Sequence, residues 1–162
     1  MPEIVDNASS ISNDNLFSTS HILIVDDDVG FIQVLSRILK RYPDQRFATS
    51  CTEALRLVEE RAPDLIFLDI EMPDHDGLDF CKALKLNSEF ADIPVIFITS
   101  HANVRTAIAG FKVGGADFVT KPVSQAALLA RVSEQLERKR AADRRKARLD
   151  ELLNGARNIE EE

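Results

Sequence analysis

Pro63-Asp64-Leu65-Ile66-Phe67-Leu68-Asp69-Ile70-Glu71-Met72-Pro73-Asp74-His75-Asp76-Gly77 decides the fold. An apolar run, Leu65 to Leu68, ends in an aspartate, and Pro73 and Gly77 break the chain before helical periodicity resumes. Four apolar residues without alternation indicate a strand covered on both faces. A carboxylate at the end of such a strand is poorly solvated, and its charge is costly unless a cation or hydrogen-bond donors meet it.

Working outward, the same unit recurs. His21-Ile22-Leu23-Ile24-Val25 ends in Asp26-Asp27-Asp28, and Pro94 to Ile98 ends in Thr99-Ser100. Asp117-Phe118-Val119-Thr120 ends in Lys121-Pro122, and Arg46 to Thr49 makes a short further strand. Helical spacing marks the stretches between. Phe31, Val34, Leu35, Ile38 and Leu39 predict a helix over about 29–41, with Asp28 as its cap. Ala54, Leu55, Val58 and Ala62 predict a second, with Thr52 placed to cap it. Leu78, Cys81, Ala83 and Leu84 mark a third, and Val104, Ala107, Ile108 and Phe111 a fourth closed by Gly114-Gly115. A final helix starts near Ser124 with Leu128, Leu129, Val132 and Leu136 facing inward, and Gly155 is its expected stop.

Five strands alternating with five helices predict an α/β, doubly wound (βα)5 domain with helices on both faces of a parallel five-stranded sheet; the flavodoxin-like order 2-1-3-4-5 is the expected arrangement, and its reversal falls between strands 1 and 3. Sites in such sheets lie beyond the carboxyl ends of the strands, where the order reverses. Asp26, Asp27 and Asp69 then converge on one crevice, with Thr99 and Lys121 beside them. A carboxylate pair at ~4 Å repels by roughly 4 kcal/mol at an effective dielectric of 20. A divalent cation with a taste for oxygen, Mg2+ or Mn2+, relieves that repulsion. With an ammonium and a hydroxyl alongside, the set suits phosphoryl transfer onto an aspartate, an established acyl-phosphate nucleophile.

The 162 residues carry a formal charge of −7. Residues 1–123 hold 11 Lys/Arg against 19 Asp/Glu, and residues 124–162 hold 9 against 8, so the acidic body is a poor non-specific nucleic-acid binder. No apolar run reaches the ~20 residues of a membrane span, no signal-type N-terminus is evident, and Cys51 and Cys81 lack metal-type spacing. A cytoplasmic location is expected. Ser- and Asn-rich residues 1–20 predict a disordered leader, residues 21–136 the domain, and residues 137–162 a charged helical extension and tail. In that extension the inward register of Leu129, Val132 and Leu136 meets Lys139, Asp143, Lys146 and Asp150 and is lost, while a second seam through Ala142, Leu149 and Leu152 is short.

The stretch from about 21 to 136 resembles the receiver domain of two-component response regulators. The resemblance rests on Asp26-Asp27, on Leu68-Asp69-Ile70-Glu71-Met72-Pro73-Asp74-His75-Asp76-Gly77, on Thr99-Ser100, on Phe118 and on Lys121-Pro122. It implies that Asp69 accepts a phosphoryl group from a sensor histidine kinase or histidine phosphotransfer protein and loses it slowly. It implies that Asp27 ligates the metal directly, Asp26 mostly through water, and Glu71 through its backbone carbonyl. Thr99, Ser100 and Lys121 are implied phosphate contacts, Thr99 and Phe118 the switch, and Pro122 a cis-proline. Glu71 and His101, two residues after Asp69 and Thr99, are expected to tune the acyl-phosphate lifetime. A homodimer through the fourth helix–fifth strand face or through the C-terminal helix is a further expectation. Two other readings compete. One is a haloacid-dehalogenase-like phosphatase built on Asp26-x-Asp28. The other is a receiver whose basic helix, with Arg138-Lys139-Arg140 and Arg144-Arg145-Lys146, binds nucleic acid.

Overall fold

The computed structural model describes residues 15–73, 76–101 and 103–160. Strands β1 (Ile22–Val25), β2 (Gln45–Ala48), β3 (Leu65–Asp69), β4 (Val95–Thr99) and β5 (Asp117–Thr120) alternate with helices. These are α1 (Val29–Ile38), α2 (Cys51–Glu60), α3 (Gly77–Leu86), α4 (Val104–Lys112) and α5 (Gln125–Glu160). All strands are parallel, in the expected order β2-β1-β3-β4-β5.

Strand alternation splits the core into two layers. Leu23, Val25, Ile66, Leu68 and Phe97 point toward α2 and α3, where Ala54, Val58, Cys81 and Leu84 are buried. Ile22, Ile24, Leu65, Phe67 and Ile98 point the other way, onto Leu35 and Leu39 of α1 and Leu128, Val132 and Leu136 of α5. The register sets the site. Ile22 to Val25 pair with Leu65 to Leu68, so Asp26 and Asp69 emerge side by side. Asp69 pairs with Ile98, one residue before Thr99, and Thr99 pairs with Thr120, one residue before Lys121.

Several local expectations change. Ser50, not Thr52, caps α2 by accepting from the Glu53 N–H at 3.1 Å, because only the residue before the first helical turn can reach that donor. In α1, Ile32, Leu35 and Leu39 are buried whereas Val34 is exposed. Val104, Ile108 and Phe111, which mark α4, are exposed as well. That helix meets the sheet through Gly110, where an added Cβ would come within 3.1 Å of the Phe97 ring. Bare backbone lies against an aromatic ring, and the apolar face is turned to solvent. After α4, Gly114 takes a positive φ of 99°, as a helix-terminating glycine should.

The two ends also differ from expectation. Residues 15–19 of the leader form a helical turn, and Leu16 is buried in the second core layer. Phe17 stands edge-on to Tyr42 with centroids 5.1 Å apart, and Arg41 lies over Phe17. The leader expectation for residues 1–14 lies outside the described residues. At the other end, α5 passes through Gly155 and runs to Glu160. Nothing lies within 4 Å of a Cβ at Gly155, so the residue serves no close packing and the helix ignores it as a stop.

Gly77 has a stricter role. A Cβ there would overlap the carbonyl oxygen of Asp69, and the Gly77 N–H donates to Ile70 O at 3.2 Å. Gly77→Ala is expected to lower unfolding free energy by about 1–3 kcal/mol through overpacking against backbone, measured by urea denaturation. Gly155→Ala, in open solvent, is expected to raise helicity in circular dichroism.

Candidate functional site

The site forms where β1, β3, β4 and β5 end. Asp26 is buried, and its carboxylate is held on both oxygens. Oδ1 accepts from the Asp28 N–H at 2.8 Å and Oδ2 from Lys121 Nζ at 2.8 Å. Asp28 caps α1 as expected, accepting from the Phe31 N–H at 3.2 Å. Asp27 is exposed. Asp69 is 6% exposed, its Oδ1 accepts from the Glu71 N–H at 3.1 Å, and its Oδ2 lies 3.8 Å from Lys121 Nζ. One oxygen from each of Asp26, Asp27 and Asp69 falls within 4.8 Å of the others.

Lys121 bridges this acidic group. Its backbone N–H donates to Thr99 O at 2.9 Å, which fixes the residue at the strand end, and the Lys121–Pro122 bond is cis. Its Nζ lies 4.1 Å from the centroid of the Phe31 ring, a cation–π contact. Thr99 is wholly buried and its Oγ1 accepts from the His101 N–H at 3.1 Å. At the rim, His101 Nδ1 and Glu71 Oε1 are 2.9 Å apart, so the loops after β3 and β4 are tied together by an exposed pair.

The electrostatics follow. Burial pushes the Asp69 carboxyl up to about 6, the Glu71 N–H opposes that, the Asp26 charge adds to it, Lys121 opposes it, and Asp27 adds a little more. Burial alone would lower the Lys121 ammonium, but its hydrogen bond to Asp26 and the charges of Asp26 and Asp69 hold it above the ordinary lysine value. The donor set is oxygen-only, anionic and under-compensated by one lysine, which fits a hard divalent cation rather than zinc.

Asp26, Asp27, Asp69, Thr99 and Lys121, singled out in the sequence, are thus brought together. Ser100 is exposed beyond β4, and Asn103 caps α4. Phe118 is partly buried, pairs in register with Phe97 and packs on the first core layer beside Gly110. Phe31 was missed: helical spacing marks it as a core residue, and only the fold reveals that its ring faces a lysine ninety positions away.

A stability consequence can be measured. Because the folded carboxyl of Asp69 is raised above its unfolded value of 3.8, folding favours its protonated form. That contribution is present below about pH 4 and is lost as pH rises through about 6. In chelator, wild type is expected to lose up to about 3 kcal/mol relative to Asp69→Asn between pH 4 and pH 8. Parallel pH profiles of the two proteins by urea denaturation check this.

Comparison with known proteins agrees with the geometry. A model of the response regulator receiver domain matches residues 22–133. A Vibrio cholerae serotype O1 protein named as a probable cyclic di-GMP phosphodiesterase is 38% identical over 122 residues, covering 75% of this chain and 28% of its own. Transcriptional regulatory protein YvrH of Bacillus subtilis is 34% identical over 119 residues, covering 72% of this chain and 49% of its own. The chain therefore spans half or less of the length of these relatives. Among solved structures, the receiver domain of NtrX from Brucella abortus is 33% identical with a TM-score of 0.66, covering 72% of this chain and 98% of its own. A CheY-like receiver domain protein from Methanospirillum hungatei JF-1 is 27% identical with a TM-score of 0.70, covering 77% and 99%. By its family match, its relatives and the arrangement of its strand ends, the chain belongs to the response regulator receiver domain family.

Proposed function

We propose that the chain takes a phosphoryl group onto Asp69 from a sensor histidine kinase or histidine phosphotransfer protein, in the presence of Mg2+ or Mn2+, and loses it slowly to water. The observation that carries this reading is the crowding of three carboxylates within 4.8 Å, with the Lys121 ammonium 3.8 Å from Asp69 Oδ2. In the transfer, an Asp69 oxygen attacks phosphorus, the P–N bond of the phosphohistidine breaks, and the imidazole leaves with the electron pair. Asp27 would hold the metal directly, Asp26 mainly through water, with Asp69 and the Glu71 backbone carbonyl completing the set. When bound, the cation neutralises the carboxylates and offsets charge on the transferring oxygens.

The chain's own groups do the rest. Lys121 swings from Asp26 toward the new phosphoryl oxygens, a short movement since it already sits between Asp26 and Asp69. Thr99 donates its hydroxyl hydrogen to the same group, and Ser100 offers a second contact. As Thr99 moves inward, Phe118 repacks beside Gly110, and the exposed Val104, Ile108 and Phe111 of α4 carry the change to a partner. The exposed His101–Glu71 pair at the rim sets the lifetime of the acyl phosphate by controlling how water reaches it. We read residues 21–136 as the receiver and 137–162 as a charged extension, in a cytoplasmic protein. Among the described residues no helix is long and apolar enough to cross a membrane.

Labelling with a small acyl phosphate and mapping the modified residue tests the reading. Modification at Asp69, lost on chelation and in Asp69→Asn, is the expected result. Modification at Asp26 would indicate the phosphatase-like alternative instead. Mg2+ is expected to raise the thermal midpoint of wild type and not of Asp27→Asn. At a hundredfold excess over Kd the gain is about 2.7 kcal/mol. Glu71→Ala and His101→Ala are each expected to change the self-dephosphorylation rate, and unchanged rates refute the role given to the pair.

A further inference from the structure

The far part of α5 is the largest feature that the phosphoacceptor site leaves unused. From position 143 onward every residue whose burial is described is exposed, yet the helix stays unbroken to Glu160. In proteins most of a helix's stability comes from packing of one face rather than from propensity. Along it, Ala142, Arg145, Leu149, Leu152, Ala156 and Ile159 recur at alternating intervals of three and four, a heptad seam about 27 Å long. Leu149, Leu152 and Ile159 are 56%, 67% and 77% exposed, and Leu153 widens the stripe. The inward register of Leu129, Val132 and Leu136 does not reach this seam, which becomes continuous only because the helix runs through Gly155.

We propose that this seam is a dimer interface, and that its occupant is the same seam of a second copy running antiparallel. Two independent features choose that partner and that direction. The first is side-chain size. With a two-fold axis between Asp150 and Glu151, Ala142 meets the partner's Ile159, Arg145 meets the partner's Ala156, and Leu149 meets the partner's Leu152. Every layer joins large to small or leucine to leucine, which fills space evenly. A parallel pair would set Arg145 on the partner's Arg145 and leave alanine against alanine at 142 and 156.

The second is charge. Residues 138–148 contain seven bases and one acid. Antiparallel pairing sends the two basic stretches to opposite ends of the stalk, whereas parallel pairing lays seven bases on seven. An acidic partner such as nucleic acid would use the basic half but leave the leucine seam in water. The axis lies about 14.5 residues beyond Leu136, so the two bodies stand about 44 Å apart measured along the stalk. The association therefore needs nothing from the Asp69 site, and it holds in Asp69→Asn.

Sedimentation velocity of the full chain over a concentration series tests it. A monomer–dimer equilibrium is expected, lost in the Leu149→Glu/Leu152→Glu double variant while the unfolding transition of the receiver body stays in place. Direction is read by mixing Ala142→Cys and Ile159→Cys proteins under mild oxidation, since Cys51 and Cys81 are buried. Cross-linking between the two variants is expected, with little self-linking of Ala142→Cys. A monomer at the highest soluble concentration, a dimer that survives the double glutamate variant, or predominant Ala142→Cys self-linking each overturns the proposal.

Discussion

Everything at the carboxyl edge of the sheet answers one electrostatic constraint: Asp26 and Asp69 emerge from adjacent strands in matching register, with Asp27 next to them. Such a group cannot be left to repel in a half-buried crevice. Lys121 supplies one compensating charge, the backbone N–H groups of Asp28 and Glu71 supply partial ones, and burial still pushes the Asp69 carboxyl up to about 6. On the proposed function, an added cation or phosphoryl group would shift this balance.

The geometry that holds the acids together is paid for by backbone rather than side chains. Gly77 lets α3 begin directly against the carbonyl of Asp69, and Gly110 lets α4 sit on Phe97. The Lys121 ammonium contacts the face of the Phe31 ring as well as the carboxylates of Asp26 and Asp69. Its position is therefore restricted without a hydrogen-bond partner on every side.

The fold and the core of the site were legible because apolar runs that end abruptly in Asp69, Asp26, Thr99 or Lys121 mark both strand and strand end. The parallel order then leaves those ends no choice but to meet. What escaped depended on which side of a helix touches the body. Val34 and Ile32 are equally apolar, and only packing on the sheet separates them. The stripe on α4 has the right period for a core face and points outward, because a glycine made the close approach. Leu16 sits in a polar leader with no periodic neighbours, yet it is buried in the core layer that α1 and α5 also line. Gly155 reads as a stop, although an exposed glycine costs a helix only about 1 kcal/mol.

The leader turn and the root of α5 meet at the amino-terminal edge of the sheet. Arg140 donates to Thr19 Oγ1 and Asn15 O there, and Lys139 lies beside Ser20 and Asp64. The aspartates occupy the opposite pole. Residues 15–19 and the point where α5 leaves the body thus lie together at the pole away from Asp26 and Asp69. A neighbour or a longer polypeptide hung from that pole would not shade the crevice between those acids.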